Sequence, residues 1–131
     1  MNRTILVIED NEQNLYLVTY LLTQSGYHIE AAMSGPEGIR LAGSVDPALI
    51  ILDIQLPLMD GYAVARALRQ NPSLDTVPVV AVTSYAMLGD RERTLEAGCN
   101  GYIEKPINPE TFLGQIEQYL AAGTAGAEAQ R

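Results

Sequence analysis

Leu49-Ile50-Ile51-Leu52-Asp53 constrains the fold of this chain more than any other stretch. Four large apolar residues in succession read as a strand buried on both faces, the kind found inside a parallel sheet covered by helices. This one delivers a carboxylate, Asp53, at its C-terminal end. The loop that follows carries Pro57 and the turn pair Asp60-Gly61. Ligands of open α/β sheets bind outside the carboxyl ends of the strands, so Asp53 stands where chemistry is commonly done.

The rest of the chain alternates strand and helix around it. Residues 5–8, all apolar, predict a first strand that also ends in acid, Glu9-Asp10. The polar run Asn11 to Asn14 opens a helix whose stripe is Leu15, Val18, Leu21 and Leu22, widened by Leu17 and stopped at Gly26. Residues 28–32 form a short, less apolar strand expected near an edge. Ser34-Gly35-Pro36 starts a second helix, and Asp46-Pro47 leads into the central strand.

Beyond Asp53, Asp60 caps a third helix that turns Val64, Ala65 and Leu68 inward, with Asn71-Pro72 closing it. A fourth strand is expected over residues 77–82, its proline near the start where it is tolerated, ending in Thr83-Ser84. The fourth helix, over about residues 87–97, carries Gly89 and few large apolar residues and is expected to be the least stable. Residues 101–104 form the fifth strand, which ends in Lys105-Pro106. Asn108-Pro109 opens a last helix with Phe112, Leu113, Ile116 and Leu120 inward. The Ala-, Gly-, Glu- and Gln-rich residues 122–131 are expected to be a disordered tail, leaving 1–121 as the domain.

Five strands alternating with five helices imply a single doubly wound α/β domain with a parallel sheet. Right-handed crossovers bring all five strand C-termini to one edge. Glu9, Asp10, Asp53, Thr83 and Lys105 therefore converge there from four separate strand ends. Clustered carboxylates repel each other unless a cation joins them, and oxygen-only donors suit Mg²⁺, with Mn²⁺ as a substitute. With Asp10 and Glu9 holding the metal, Asp53 keeps an oxygen free to attack a phosphoryl group, giving an acyl phosphate. Mg²⁺, the Lys105 ammonium and the Thr83 hydroxyl can each take one of the three equatorial oxygens.

Composition narrows the setting. A net charge of −8 over 131 residues argues against a nucleic-acid partner, whose phosphates need a basic face. The single cysteine, Cys99, excludes an internal disulfide and fits a reducing compartment. No signal peptide is expected, because the N-terminus runs straight into a strand pattern, and the apolar runs are too short for a membrane span. A soluble cytoplasmic domain is the expectation.

These residues reach a known family. Glu9-Asp10, Asp53, the loop Leu56-Pro57-Leu58-Met59-Asp60-Gly61, Thr83-Ser84, Tyr102 and Lys105-Pro106, in that order on those elements, resemble the receiver domains of two-component response regulators, the CheY-like proteins. The resemblance covers about residues 4–121. The stretch Val80 to Met87, with Gly89-Asp90 and Gly98-Cys99, is most similar to DivK-type single-domain regulators and to receivers attached to hybrid kinases. Ser84, where alanine is usual, departs from the pattern by one small residue.

The resemblance implies a flavodoxin-like (βα)₅ fold with strand order 2-1-3-4-5. It implies that Asp53 takes a phosphoryl group from a phosphohistidine of a sensor histidine kinase or a histidine phosphotransfer protein. Glu9, Asp10, Asp53 and the backbone carbonyl of Gln55 would bind Mg²⁺. Lys105 would contact the phosphoryl group, with a cis peptide before Pro106, and Thr83 and Tyr102 would form the switch pair. Gln55 and Tyr85 would flank the path of attacking water and set the lifetime of the acyl phosphate. Output would pass through the face made by helix four, strand five and helix five to a downstream protein partner.

Three function classes compete. The leading one is a stand-alone, phosphorylation-driven binding switch and not an enzyme, with a receiver excised from a hybrid histidine kinase as its variant. The second is an aspartate-nucleophile phosphatase of the haloacid dehalogenase class. That class wants a second aspartate two residues after the nucleophile, where this chain has Gln55, which cannot transfer a proton. The third is a degenerate receiver that only scaffolds, which would lack the Asp, the Lys or the acidic pair. Taken singly, Asp53 or Thr83 could be a cap, Glu9-Asp10 loop acids, Lys105 a surface cation and Tyr102 plain core. Their joint placement favours function. Cys99, His28, Met59 and Met87 read as ordinary packing or strand residues, with no metal-ligand spacing.

Overall fold

The computed structural model describes residues 3–84 and 90–129. Five parallel strands, β1 (Thr4–Ile8), β2 (His28–Ala32), β3 (Leu49–Asp53), β4 (Val79–Thr83) and β5 (Gly101–Glu104), lie in the order β2-β1-β3-β4-β5. The helices α1 (Glu12–Thr23), α2 (Gly35–Ala42), α3 (Gly61–Arg69), α4 (Asp90–Glu96) and α5 (Phe112–Ala129) alternate with them. This is the expected doubly wound fold, with β2 at an edge as its weaker apolar pattern implied.

Successive side chains on a strand point to opposite faces, and the two cores follow that rule. Leu6, Ile8, Ile50, Leu52 and Ala81 meet Val64, Ala65 and Leu68 of α3 on one face. Ile5, Val7, Leu49, Ile51 and Val82 meet Val18 and Leu22 of α1 and Phe112 and Ile116 of α5 on the other. β3 is buried along its whole length, which explains its unbroken apolar run. In the register, Ile8 pairs with Leu52 and Asp53 with Val82, so β3 ends one residue beyond β1 and β4 one residue beyond β3.

The caps do what their chemistry suggests. Asn11, Ser34 and Asp60 each accept a backbone N–H three residues on, opening α1, α2 and α3. Gly26, with φ of 93°, turns the chain after α1 in a conformation that side chains disfavour.

Several boundaries differ from expectation. β4 begins at Val79 and not Val77, because Pro78 has no N–H for the ladder; its carbonyl still accepts from Ile50 N at 2.9 Å. α3 ends at Arg69, and Asn71-Pro72 opens a separate 3₁₀ turn (Pro72–Leu74), with Asn71 accepting from Ser73 N. Asn108 accepts from the N–H of Phe112, where regular helix begins, so Pro109 stands in a lead-in turn. α5 then continues to Ala129, past the boundary drawn at 121. Its backbone is helical where a disordered tail was expected, in keeping with an alanine-rich stretch, alanine being the best helix former. The expected start of the fourth helix near Met87 falls outside the described residues.

Candidate phosphoryl-acceptor site

The strand ends at the carboxyl edge build one cleft of about 760 Å³, whose walls include Asp10, Asn11, Asp53, Gln55, Ser84 and Lys105. Asp53 and Glu9 are 2% and 4% exposed, and Asp10 is the most accessible of the three acids. One oxygen from each of Glu9, Asp10 and Asp53 can be chosen so that all lie within 4.8 Å of one another. Lys105 arrives from the end of β5, after a cis Lys105-Pro106 peptide, and its backbone N–H bonds to the Thr83 carbonyl at 2.8 Å. Its Nζ stands 3.3 Å from Asp53 Oδ1 and 3.5 Å from Glu9 Oε1.

One ammonium serves two buried carboxylates, and the shortfall shows in Glu9. Burial first, then the hydrogen-bonded and negatively charged Asp53, push its carboxyl up to about 7, against the weaker opposing pull of Lys105 and the Asn11 N–H. A hard divalent cation fits this observation. The donors are all oxygens, two of the three acids are buried, and the group is under-neutralised without further positive charge.

The loop after β3 is held against the strand end. Gly61 N donates to the Ile54 carbonyl, and a Cβ at Gly61 would come within 2.5 Å of Ile54 Cα and 2.8 Å of the Asp53 carbonyl oxygen. Asp60-Gly61 is therefore a cap followed by a close backbone approach.

Thr83, 4% exposed, reaches the cleft through Gln55, whose Nε2 donates to Thr83 Oγ1 at 2.9 Å. The structure thus gathers Glu9, Asp10, Asp53, Gln55 and Lys105, with Thr83 one hydrogen bond behind. Tyr102 stands apart. It lines a second groove with Leu95 and Tyr119, and the Arg91 guanidinium lies 6.0 Å from its ring centroid. Tyr85 and Met87 fall outside the described residues.

Sequence reasoning missed two connections. The bonds of the Gln55 side chain to Thr83 and Ser84 join loops 28 and 29 residues apart, and no local pattern announces them. Arg69 likewise ties α3 to the Gly98 and Leu74 carbonyls and to Asn100 Oδ1. Cys99 is buried and His28 pairs with Glu30, in line with their ordinary readings.

Comparison with known proteins points to one family. A family profile described as response regulator receiver domain matches residues 5–117. The polar-differentiation response regulator DivK of Brucella ovis is 42% identical over 120 residues, covering 92% of this chain and 98% of the relative. Among solved structures, the receiver domain of sensor histidine kinase PA1611 from Pseudomonas aeruginosa, which holds a magnesium ion in its active site cleft, superposes with a TM-score of 0.85 at 30% identity. That match covers 92% of this chain and 99% of the other. The Vibrio cholerae chemotaxis protein CheY4 gives a TM-score of 0.87 at 25% identity, over 91% and 99% of the two chains.

Proposed function

The chain belongs to the response regulator receiver domain family of two-component signalling, and from that premise we propose that Asp53 accepts a phosphoryl group from a phosphohistidine on a sensor kinase or phosphotransfer protein. The observation that carries this reading is the pairing of buried Asp53 with Lys105 Nζ at 3.3 Å inside an all-oxygen acidic cluster. Glu9, Asp10, Asp53 and the Gln55 carbonyl would hold Mg²⁺ or Mn²⁺. When bound, the ion would neutralise the carboxylates and draw charge from a phosphoryl oxygen.

This chain's residues supply the rest. An Asp53 oxygen forms the new O–P bond while the P–N bond to the donor imidazole breaks, its electron pair returning to that ring. Lys105, already beside Asp53, meets the charge on a phosphoryl oxygen. The Thr83 hydroxyl, one hydrogen bond from the cleft, is the group that moves in, and Tyr102 is its proposed partner in the switch. The groove beside Tyr102, lined by Arg91, Leu95 and Tyr119, lies on the α4–β5–α5 face and would change shape for a downstream protein partner. Gln55 and Tyr85 would set the lifetime of the acyl phosphate.

We take residues 1–121 as the receiver unit and the protein as a stand-alone cytoplasmic switch, not an enzyme. Among the described residues, no helix is long and apolar enough to cross a membrane. The phosphatase reading gains no support: Gln55 engages both ends of its side chain and carries no acid or base.

The test is intact mass after acetyl phosphate treatment with Mg²⁺. The wild type should gain one phosphoryl group and Asp53→Asn none. Equal labelling of both would place the acceptor elsewhere.

A further inference from the structure

Gln55 touches three groups that a phosphoryl group on Asp53 would need. Its backbone N–H donates to Asp53 Oδ1 at 2.9 Å. Its side-chain Nε2 donates to Thr83 Oγ1 at 2.9 Å, and its Oε1 accepts from the Ser84 N–H at 3.2 Å. Chemistry dictates which end of the carboxamide faces which partner. A backbone N–H can only donate, so the oxygen must face Ser84 and the NH₂ group is left for Thr83. Both side-chain bonds cross from the loop after β3 to the end of β4.

The geometry points to Gln55 as a positioning residue: its side chain holds Thr83 and Ser84 in their resting arrangement, and phosphoryl uptake at Asp53 exchanges those two bonds for bonds to phosphoryl oxygens. The inference rests on the reading of Asp53 as acceptor. Phosphoryl oxygens are charged and accept more strongly than a carboxamide oxygen, so the exchange favours the phosphorylated state. The Thr83 hydroxyl, which accepts from Gln55 in the resting state, would give its own proton to a phosphoryl oxygen. The released carboxamide is partly exposed and can be rehydrated. Gln55 therefore acts through Thr83 and Ser84 on how far the resting state lies from the phosphorylated one.

The experiment compares wild type with Gln55→Met, which keeps length and loses both polar ends, and with Gln55→Asn, which keeps the carboxamide but is one methylene short. Hydrogen exchange of the Ser84 amide is followed by NMR in the resting protein, and beryllofluoride affinity is measured by titration in Mg²⁺. Losing two neutral hydrogen bonds of ordinary strength should tighten beryllofluoride binding about tenfold and speed Ser84 exchange by a similar factor. Unchanged Ser84 exchange or unchanged beryllofluoride affinity in both variants overturns the positioning role alone. Absence of beryllofluoride uptake by the wild type overturns the acceptor reading of Asp53, and the positioning role with it.

Discussion

Lys105 Nζ stands 3.3 Å from Asp53 Oδ1 with only 14% of the lysine side chain and 2% of the aspartate's exposed. An ion pair this deep is hard to break, because the partner left behind stays in low dielectric without compensation. Lys105→Met should therefore cost about 3 kcal/mol in EDTA, measured by urea unfolding. Millimolar Mg²⁺ should restore much of that loss. A loss below ~0.5 kcal/mol would mean that water screens the pair far more than its burial suggests.

Glu9 sets a pH dependence with a definite sign. Its folded value, about 7, lies above the ordinary 4.5, so the folded state binds the proton more tightly than the unfolded chain. The stabilisation is fully present below 4.5 and is lost as pH rises through about 7. Metal-free protein should lose stability, of order 2 kcal/mol, between those limits. Glu9→Gln should flatten the profile in thermal unfolding scans. A profile as steep in the variant would assign the effect to another group.

Two glycines should respond in opposite directions to the same change. Gly61→Ala puts a methyl group against Ile54 Cα and the Asp53 carbonyl, backbone atoms that cannot step aside. It should cost about 1–3 kcal/mol and weaken Mg²⁺ binding by displacing the strand end. Gly114, on the exposed side of α5, has nothing within 4 Å of an added Cβ. Gly114→Ala should gain about 0.5–1 kcal/mol from helix propensity and leave Mg²⁺ affinity unchanged. Calorimetry and Mg²⁺ titration read both, and equal effects at the two sites would contradict the packing described.

Cys99 should be chemically quiet. Burial pushes its thiol up to about 11, with Arg69 opposing, so little thiolate exists at neutral pH. Iodoacetamide should label the folded protein at least a hundredfold more slowly than the urea-unfolded chain. Rapid labelling of native protein would mean that the turn after α4 opens readily.

The site was legible where local rules act. A strand alternates faces every residue, so an unbroken apolar run such as Leu49–Leu52 announced a strand covered on both sides and marked Asp53 as its exit. Connection handedness then gathered Glu9, Asp10, Thr83 and Lys105 at the same edge without any distance being known. Asn11, Ser34 and Asp60 were legible as caps because the unsatisfied N–H groups lie two or three residues away. Boundaries were less so. Pro78 ended a ladder from which its carbonyl still benefits, and Asn71-Pro72 made a turn of its own where a simple stop was expected.

The sequence by itself determined the order of elements, the buried strands and the acidic edge with its lysine, since periodicity, turn chemistry and crossover handedness are properties of neighbours along the chain. Only the tertiary structure decided that Lys105 lies between Glu9 and Asp53, that Gln55 reaches Thr83 and Ser84, and that Tyr102 lines a separate groove. The Lys105 pairs and the Gln55 bonds join residues 28 to 96 positions apart, Glu9 to Lys105 being the longest. Side-chain hydrogen bonds and ion pairs are selected by ångström-scale distances and angles, and those exist only after the sheet and its two helical layers have packed.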